Sequence, residues 1–298
     1  MSKLEINGDF IVRQLPGIIS WLVSLGLPAA NSRYARYDKI IKNFFRNRPD
    51  TLHDGGNQLF RDLSLAYRES VDIYIVYRCF KDVRHPMFIE KLSHVVAGQD
   101  VPEPGEAGAS RNYLFELLIA ARFQLAGYDI DFEEKTDVVA RRNGHTVRIE
   151  CKRLSSENKL NARINEAANQ LSQAVKKVDE RVVGLIYIDV SSFIVEKVKW
   201  EVNTRDEALH EVKRALKLFL GDYGRTVEAA NKKHLGVSFA TCFTAVVPIW
   251  TRSDLTMQTV LHTDVLAASD LPDEKFQLLN EVVFGTDHGF KHLFETVE

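Results

Sequence analysis

Asp137, Glu150 and Lys152 place two carboxylates and an ammonium within a span of 16 residues. They fall in the stretch from Glu134 to Leu154, which reads as a β-hairpin. Asp137 to Arg141 is a short β-branched run, Asn143-Gly144 is a tight-turn pair, and His145 to Leu154 alternates. Strand side chains repeat every two residues. Val147, Ile149 and Cys151 therefore share one face, and Arg148, Glu150 and Lys152 share the other. The hairpin brings one carboxylate from each strand together, with an ammonium two residues beyond the second. Close carboxylates repel unless a proton or a cation lies between them. Carboxylate oxygens completed by water suit Mg²⁺ or Mn²⁺. Lys152 could hold the water that such a metal makes nucleophilic, which is the chemistry of metal-assisted attack on a phosphodiester. The same triplet is also compatible with a solvated strand face carrying a weak cross-strand ion pair.

The neighbouring elements must position these groups. Upstream, Ser110 to Ala126 has no Pro or Gly and is rich in helix formers, so it reads as a helix, apolar almost all round. Glu116 lies on it among Tyr113, Ile119, Ala120 and Phe123. A carboxylate on such a surface costs several kcal/mol, as an order of magnitude, unless it is paired or bound to metal. Its alternatives are a metal site or a buried ion pair with Arg111, Arg122 or another arginine. Downstream, Asn158 to Val178 reads as a second helix. Leu160, Ile164, Ala167, Ala168, Leu171, Val175 and Val178 form its buried stripe, and Gln170 borders that stripe. Arg181 to Val190 is a near-continuous apolar run, as expected of a strand in the sheet interior.

Asp137, twelve intervening residues and then Glu150-Cys151-Lys152 resembles the PD-(D/E)xK motif of restriction-endonuclease-like phosphodiesterases, with Thr136 in place of the leading Pro. The resemblance covers roughly Gly108 to Val190. It implies an α/β fold with a restriction-endonuclease-like core, a mixed central sheet flanked by helices in the order αβββαβ. It further implies that Asp137 and Glu150 bind Mg²⁺ (or Mn²⁺), helped by the Cys151 backbone carbonyl, and that Lys152 positions the attacking water. The family places a site glutamate on the helix before the hairpin, for which Glu116 is the candidate. In many relatives a glutamine on the following helix reaches the site. Gln170 is the matching residue, and an ordinary polar helix position is its alternative. The activity implied is metal-dependent hydrolysis of phosphodiester bonds, with DNA favoured over RNA and endonuclease over exonuclease action. Two other classes stay open: a non-cleaving nucleic-acid-binding protein of the same fold, and an unrelated α/β interaction protein with a fortuitous strand triplet.

The rest of the chain sets the frame. With 298 residues, 45% hydrophobic and 27% charged, there is room for two cores. A linker-like composition from Gln99 to Gly108 divides a mainly helical N-terminal domain (1–105) from the nuclease domain (106–298). The latter comprises the core (108–190) and C-terminal additions (191–298). The net charge of −2 gives no overall drive toward nucleic acid or an acidic membrane. Residues 1–100 carry 14 basic and 11 acidic side chains, whereas residues 191–298 carry 12 and 16, so a polyanion surface is expected in the first two-thirds. Cys79, Cys151 and Cys242 form no paired motif, a reducing-compartment pattern that points to the cytoplasm.

The apolar run Leu15 to Ala30 is too short and too rich in Pro and Gly to span a membrane, and a short helix from Gly17 to Leu27 is expected there. Helices are expected at Tyr37–Arg46, Leu59–Asp82 and Met87–Ala97. The first region interleaves Arg33, Arg36, Lys39, Lys42, Arg46 and Arg48 with Tyr34, Tyr37, Phe44 and Phe45. That mixture suits either a nucleic-acid surface or an amphipathic helix with a solvated basic face. A long helix from Thr204 to Lys233, breaking near Gly221 to Gly224, precedes strand-like apolar segments at Leu235–Trp250 and Thr256–Leu266. His288 and His292 stand four apart and read as a surface pair. No phosphate loop, nucleophile elbow, zinc-protease motif or dinucleotide fingerprint occurs, so no nucleotide-driven motor is expected. The partner implied is nucleic acid, without membrane, and a homodimer or partner subunit is left open.

Overall fold

The computed structural model describes residues 8–47, 58–99, 108–133, 136–174 and 181–293. The Asp50–Gly56 stretch, most of the linker-like segment, the end of the second predicted helix and the side chains of His288 and His292 lie outside it. In chain order the elements are α1 (Gly8–Ser24), α2 (Arg33–Arg46), α3 (Gln58–Phe80), α4 (Pro86–Val96) and α5 (Ala109–Leu125). There follow β1 (Asp129–Asp131), β2 (Val138–Arg142), β3 (His145–Arg153), α6 (Leu160–Ala174), β4 (Val182–Asp189) and α7 (Ser191–Ile194). The chain closes with β5 (Glu201–Val202), α8 (Arg205–Lys233), β6 (Ala240–Thr251), β7 (Thr256–Ala267) and α9 (Asp273–Leu293).

The chain is α/β. One mixed seven-stranded sheet runs in the order β1-β2-β3-β4-β6-β5, with β7 on the other edge of β6. β1, β2 and β3 form an antiparallel meander. β3, β4 and β6 are parallel neighbours, and β7 returns antiparallel along all of β6. The period of two is plain along β4. Val183, Leu185 and Tyr187 join a core with α1–α5 and α9, whereas Ile186 and Ile188 join a second core with α6, α7 and α8. The sheet thus has a helical layer on each face. The helices before Gln99 share their buried cluster with α5 and the sheet. The composition shift after Gln99, where a domain boundary is expected, is not matched by a break in packing.

Two helices differ from expectation. α1 begins at Gly8 and runs through Pro16, which was expected to precede a shorter helix. An interior proline costs about 3 kcal/mol. Ile11, Leu15, Ile18, Trp21 and Leu22 are buried along one stripe on both sides of it, and each such side chain contributes about 1.5–3 kcal/mol. α8 runs unbroken through Gly221 and Gly224, because the buried stripe of Val212, Leu216 and Phe219 resumes at Val227 and Ala230. Two helical glycines cost only about 1 kcal/mol each. No helix among the described residues is long and apolar enough to cross a membrane.

The aromatic part of the mixture near α2 packs inward, whereas of its basic residues Arg36, Lys39 and Arg46 stay exposed. Tyr34 and Tyr37 are buried, and buried Arg33 pairs with Glu69 at 3.1 Å. Phe44 packs edge-on against Trp250.

Candidate active site

The hairpin sets the geometry. Asn143 (φ 51°) and Gly144 (φ 78°) both adopt the left-handed conformation, as a two-residue turn matching the strand twist requires. The register then runs from Arg142↔His145 to Val138↔Ile149. β2 therefore stops opposite Ile149, while β3 continues to Arg153. Beyond that point one edge of β3 has no strand beside it among the described residues. Thr146 N–H donates to the Arg181 carbonyl (2.9 Å) and Leu154 N–H to the Asp189 carbonyl (3.0 Å). Even-numbered positions of β3 thus face β4, and odd-numbered ones face the β2 edge. On that open edge the Cys151 N–H donates to Asp137 Oδ2 at 2.8 Å. An extended residue presents N–H and C=O to the same edge, so the Cys151 carbonyl faces it as well. Thr136, the residue at the motif's leading position, is buried, and its hydroxyl accepts from Arg148 at 3.3 Å.

Four of the five side chains singled out in the sequence come together here. Lys152 Nζ donates to Glu150 Oε2 at 3.3 Å and lies 3.7 Å from Asp137 Oδ2. From the opposite layer, α5 supplies Glu116, whose Oε2 accepts from Lys91 Nζ at 2.7 Å. The same ammonium donates to the Asp137 backbone carbonyl at 2.8 Å. Groups from the sheet and from the α4–α5 side thus meet around the open edge of β3. Lys91, on α4, went unnoticed in the sequence. An excess of carboxylates over cations signals that such a residue is needed, without saying which. Neither arginine weighed as a partner for Glu116 takes that role: Arg111 pairs with Glu69 at 2.5 Å, and Arg122 donates to the Thr263 hydroxyl. Gln170 is not brought in. It is exposed on α6, beside the buried stripe of Ala167, Ala168 and Leu171.

The electrostatics are those of crowded acids. Burial, and then the Asp137 charge, push the Glu150 carboxyl up to about 8, with Lys152 opposing. Glu116 is pushed up to about 7 by burial and by Asp137, with Lys91 opposing. Burial works against the Lys152 ammonium, but Asp137 and Glu150 more than offset it and raise its pKa. Such a site favours an added positive charge between Asp137 and Glu150.

Among the described residues, no group of three or more His, Cys, Asp or Glu is placed to hold a metal ion. The donor set offered is smaller: two carboxylates and one edge carbonyl, with Glu116 engaged by Lys91. Mg²⁺ is commonly held by one or two carboxylates with water completing the shell, so these residues fit it.

Comparison of the chain with family models, with curated proteins and with solved structures finds no match in any of the three.

Proposed function

We propose that this chain is a metal-dependent nuclease with a restriction-endonuclease-like core, hydrolysing phosphodiester bonds, in DNA before RNA. The observation that carries the reading is the convergence of Asp137, Glu150 and Lys152 at the open edge of β3, with Lys152 within 3.7 Å of both carboxylates. The succession α5-β1-β2-β3-α6-β4 and the mixed sheet support it, since that fold needs this order.

Asp137, Glu150 and the Cys151 carbonyl would hold Mg²⁺, which supplies Lewis-acid activation of phosphate and water when bound. Asp137 is fixed at both ends, by the Cys151 N–H on its carboxylate and by Lys91 on its carbonyl. Little reorganisation is then needed as charge develops. Lys152 orients the attacking water and donates toward the phosphate oxygen on which negative charge grows. Glu116 adds negative potential behind Asp137, and Lys91 holds it in place.

The test separates rate from affinity at Lys152. Lys152→Ala should lower cleavage by about two orders of magnitude or more, the scale for losing one transition-state donor. Binding measured with Ca²⁺ in place of Mg²⁺ should change far less, because one cation among several phosphate contacts contributes modestly. A folded Lys152→Ala protein cleaving at the wild-type rate would overturn this role. A collapse of affinity together with rate would make Lys152 a phosphate anchor in a binding protein.

A further inference from the structure

One residue beyond Lys152 a second charged cluster begins. Asp189, at the C-terminal end of β4, is buried and accepts four hydrogen bonds. Oδ1 takes the Ser191 N–H at 2.9 Å and the Ser191 hydroxyl, while Oδ2 takes Arg68 Nη2 at 2.8 Å and Arg153 Nε at 2.8 Å. Ser191 Oγ in turn accepts the Val246 N–H at 2.9 Å, so the carboxylate is held by the backbone of two elements. Arg153 ends β3, and Arg68 reaches across from α3.

The charges there do not balance. One carboxylate stands between two guanidiniums. Glu69, the neighbouring acid, is committed to Arg33 and Arg111. Asp72 lies 3.8 Å from Arg68 Nε, and its Oδ1 is buried without a hydrogen-bond partner. Burial pushes its carboxyl up to about 7, so it neutralises the arginines only in part.

Nor are the donors used up. Each arginine gives one hydrogen bond to Asp189. Arg68 Nη1 and both η nitrogens of Arg153 make no hydrogen bond to a described residue, and Arg68 Nε is buried without a hydrogen-bond partner. The two side chains are 13% and 16% exposed. A purely structural bridge would spend these donors on protein oxygens. Here they are pre-oriented by a shared carboxylate at the C-terminal ends of parallel strands, where ligands of open α/β sheets bind. A planar fork of donors matches the oxygens of a phosphate.

We propose that Arg68 and Arg153, braced on Asp189, form a phosphate-binding clamp for the nucleic-acid strand at the C-terminal ends of β3 and β4. The clamp rests on the nuclease reading for the identity of its ligand, but its binding requires no metal.

The experiment is therefore done in EDTA. Thermal unfolding of the full chain is followed with inorganic phosphate against chloride at matched ionic strength. Affinity is measured by anisotropy for a short single-stranded oligodeoxynucleotide with and without a 5′-phosphate. Phosphate should raise the wild-type melting temperature in a concentration-dependent way, and the rise should vanish in Arg153→Gln and Arg68→Gln. Oligonucleotide affinity should fall about tenfold in each variant, the scale of losing a charge-assisted hydrogen bond. A preference for the 5′-phosphorylated strand assigns the clamp to a terminal phosphate, and equal affinity assigns it to an internal one. Should Arg153→Gln fail to fold, Arg153→Lys keeps the charge without the fork and should still lose several-fold in affinity. Phosphate stabilisation that is absent in the wild type, or equal in wild type and folded variants, overturns the clamp. Mg²⁺-dependent cleavage is scored separately. Arginine-dependent phosphate binding without cleavage of any substrate contradicts the nuclease reading alone, whereas cleavage with indifferent phosphate binding contradicts the clamp alone.

Discussion

Glu150→Gln should stabilise the metal-free protein while abolishing cleavage. Glu150 is buried, and burial together with Asp137 lifts its carboxyl from about 4.5 to about 8. A carboxyl that ionises less readily when folded contributes its full stability below the unfolded value and loses it as pH rises through the folded value. The wild type should therefore lose stability across the window from about 4.5 to about 8. Each pH unit in that window costs about 1.4 kcal/mol, which sets a ceiling of about 5 kcal/mol. Glu150 is coupled to the charges around it, which reduces the realised penalty to roughly half, ~2 kcal/mol. The glutamine keeps the size and removes the charge, so at pH 8 the variant should exceed the wild type by about that amount, or roughly 5 °C in melting temperature. Near pH 5 the two should nearly coincide. The assay is urea unfolding of both proteins in EDTA at the two pH values, read as the difference between them. Added Mg²⁺ should then raise the wild type by mass action and leave the variant unchanged. A variant less stable than wild type at pH 8, or a difference that does not grow with pH, would refute the reasoning.

Lys91→Met leaves Glu116 buried without its cation. At pH 8 it should cost about 2–3 kcal/mol, short of the full penalty for breaking a buried pair because Lys91 is partly exposed. The cost should shrink toward pH 5, where Glu116 holds a proton, and thermal unfolding at both pH values checks this. Asp72→Asn removes a carboxyl that burial pushes up to about 7. It should raise stability at pH 8 by about 1–2 kcal/mol and leave it nearly unchanged near pH 4, with urea unfolding as the readout. Gly144→Ala forces a side chain into a turn at φ 78°. It should lower the melting temperature by a few degrees, about 1 kcal/mol, through strain alone.

The hairpin was legible because each of its signals is local. The Asn143-Gly144 pair can adopt the left-handed turn, and the alternation of Val147, Ile149 and Cys151 sets the faces, so the meeting of Asp137 with Glu150 follows from register. The all-round apolar surface of α5 and the buried stripe of α6 were equally local. What escaped depends on packing. Pro16 reads as a helix start until the stripe on both sides of it is buried against α2 and α3. Three-residue β1 is too short to show a period, and α9 was not anticipated. Lys91 reaches Glu116 and the Asp137 carbonyl from 25 and 46 residues away, contacts made only when α4 docks on α5. The Arg68–Asp189 contact spans 121 residues and has no sequence signature. Gln170 shows the reverse error. The resemblance alone makes it a site candidate, and on α6 it is exposed.

The most direct measurement is cleavage of a substrate panel by the purified full chain with Mg²⁺ or Mn²⁺. The panel comprises supercoiled, linear, single-stranded and branched DNA, with RNA beside them, and each reaction is paired with the Asp137→Asn protein. Metal-dependent cleavage of at least one DNA substrate by the wild type is expected, with none in EDTA and none by folded Asp137→Asn. No cleavage of any substrate by the wild type with either metal, or cleavage that survives unchanged in Asp137→Asn, would contradict it.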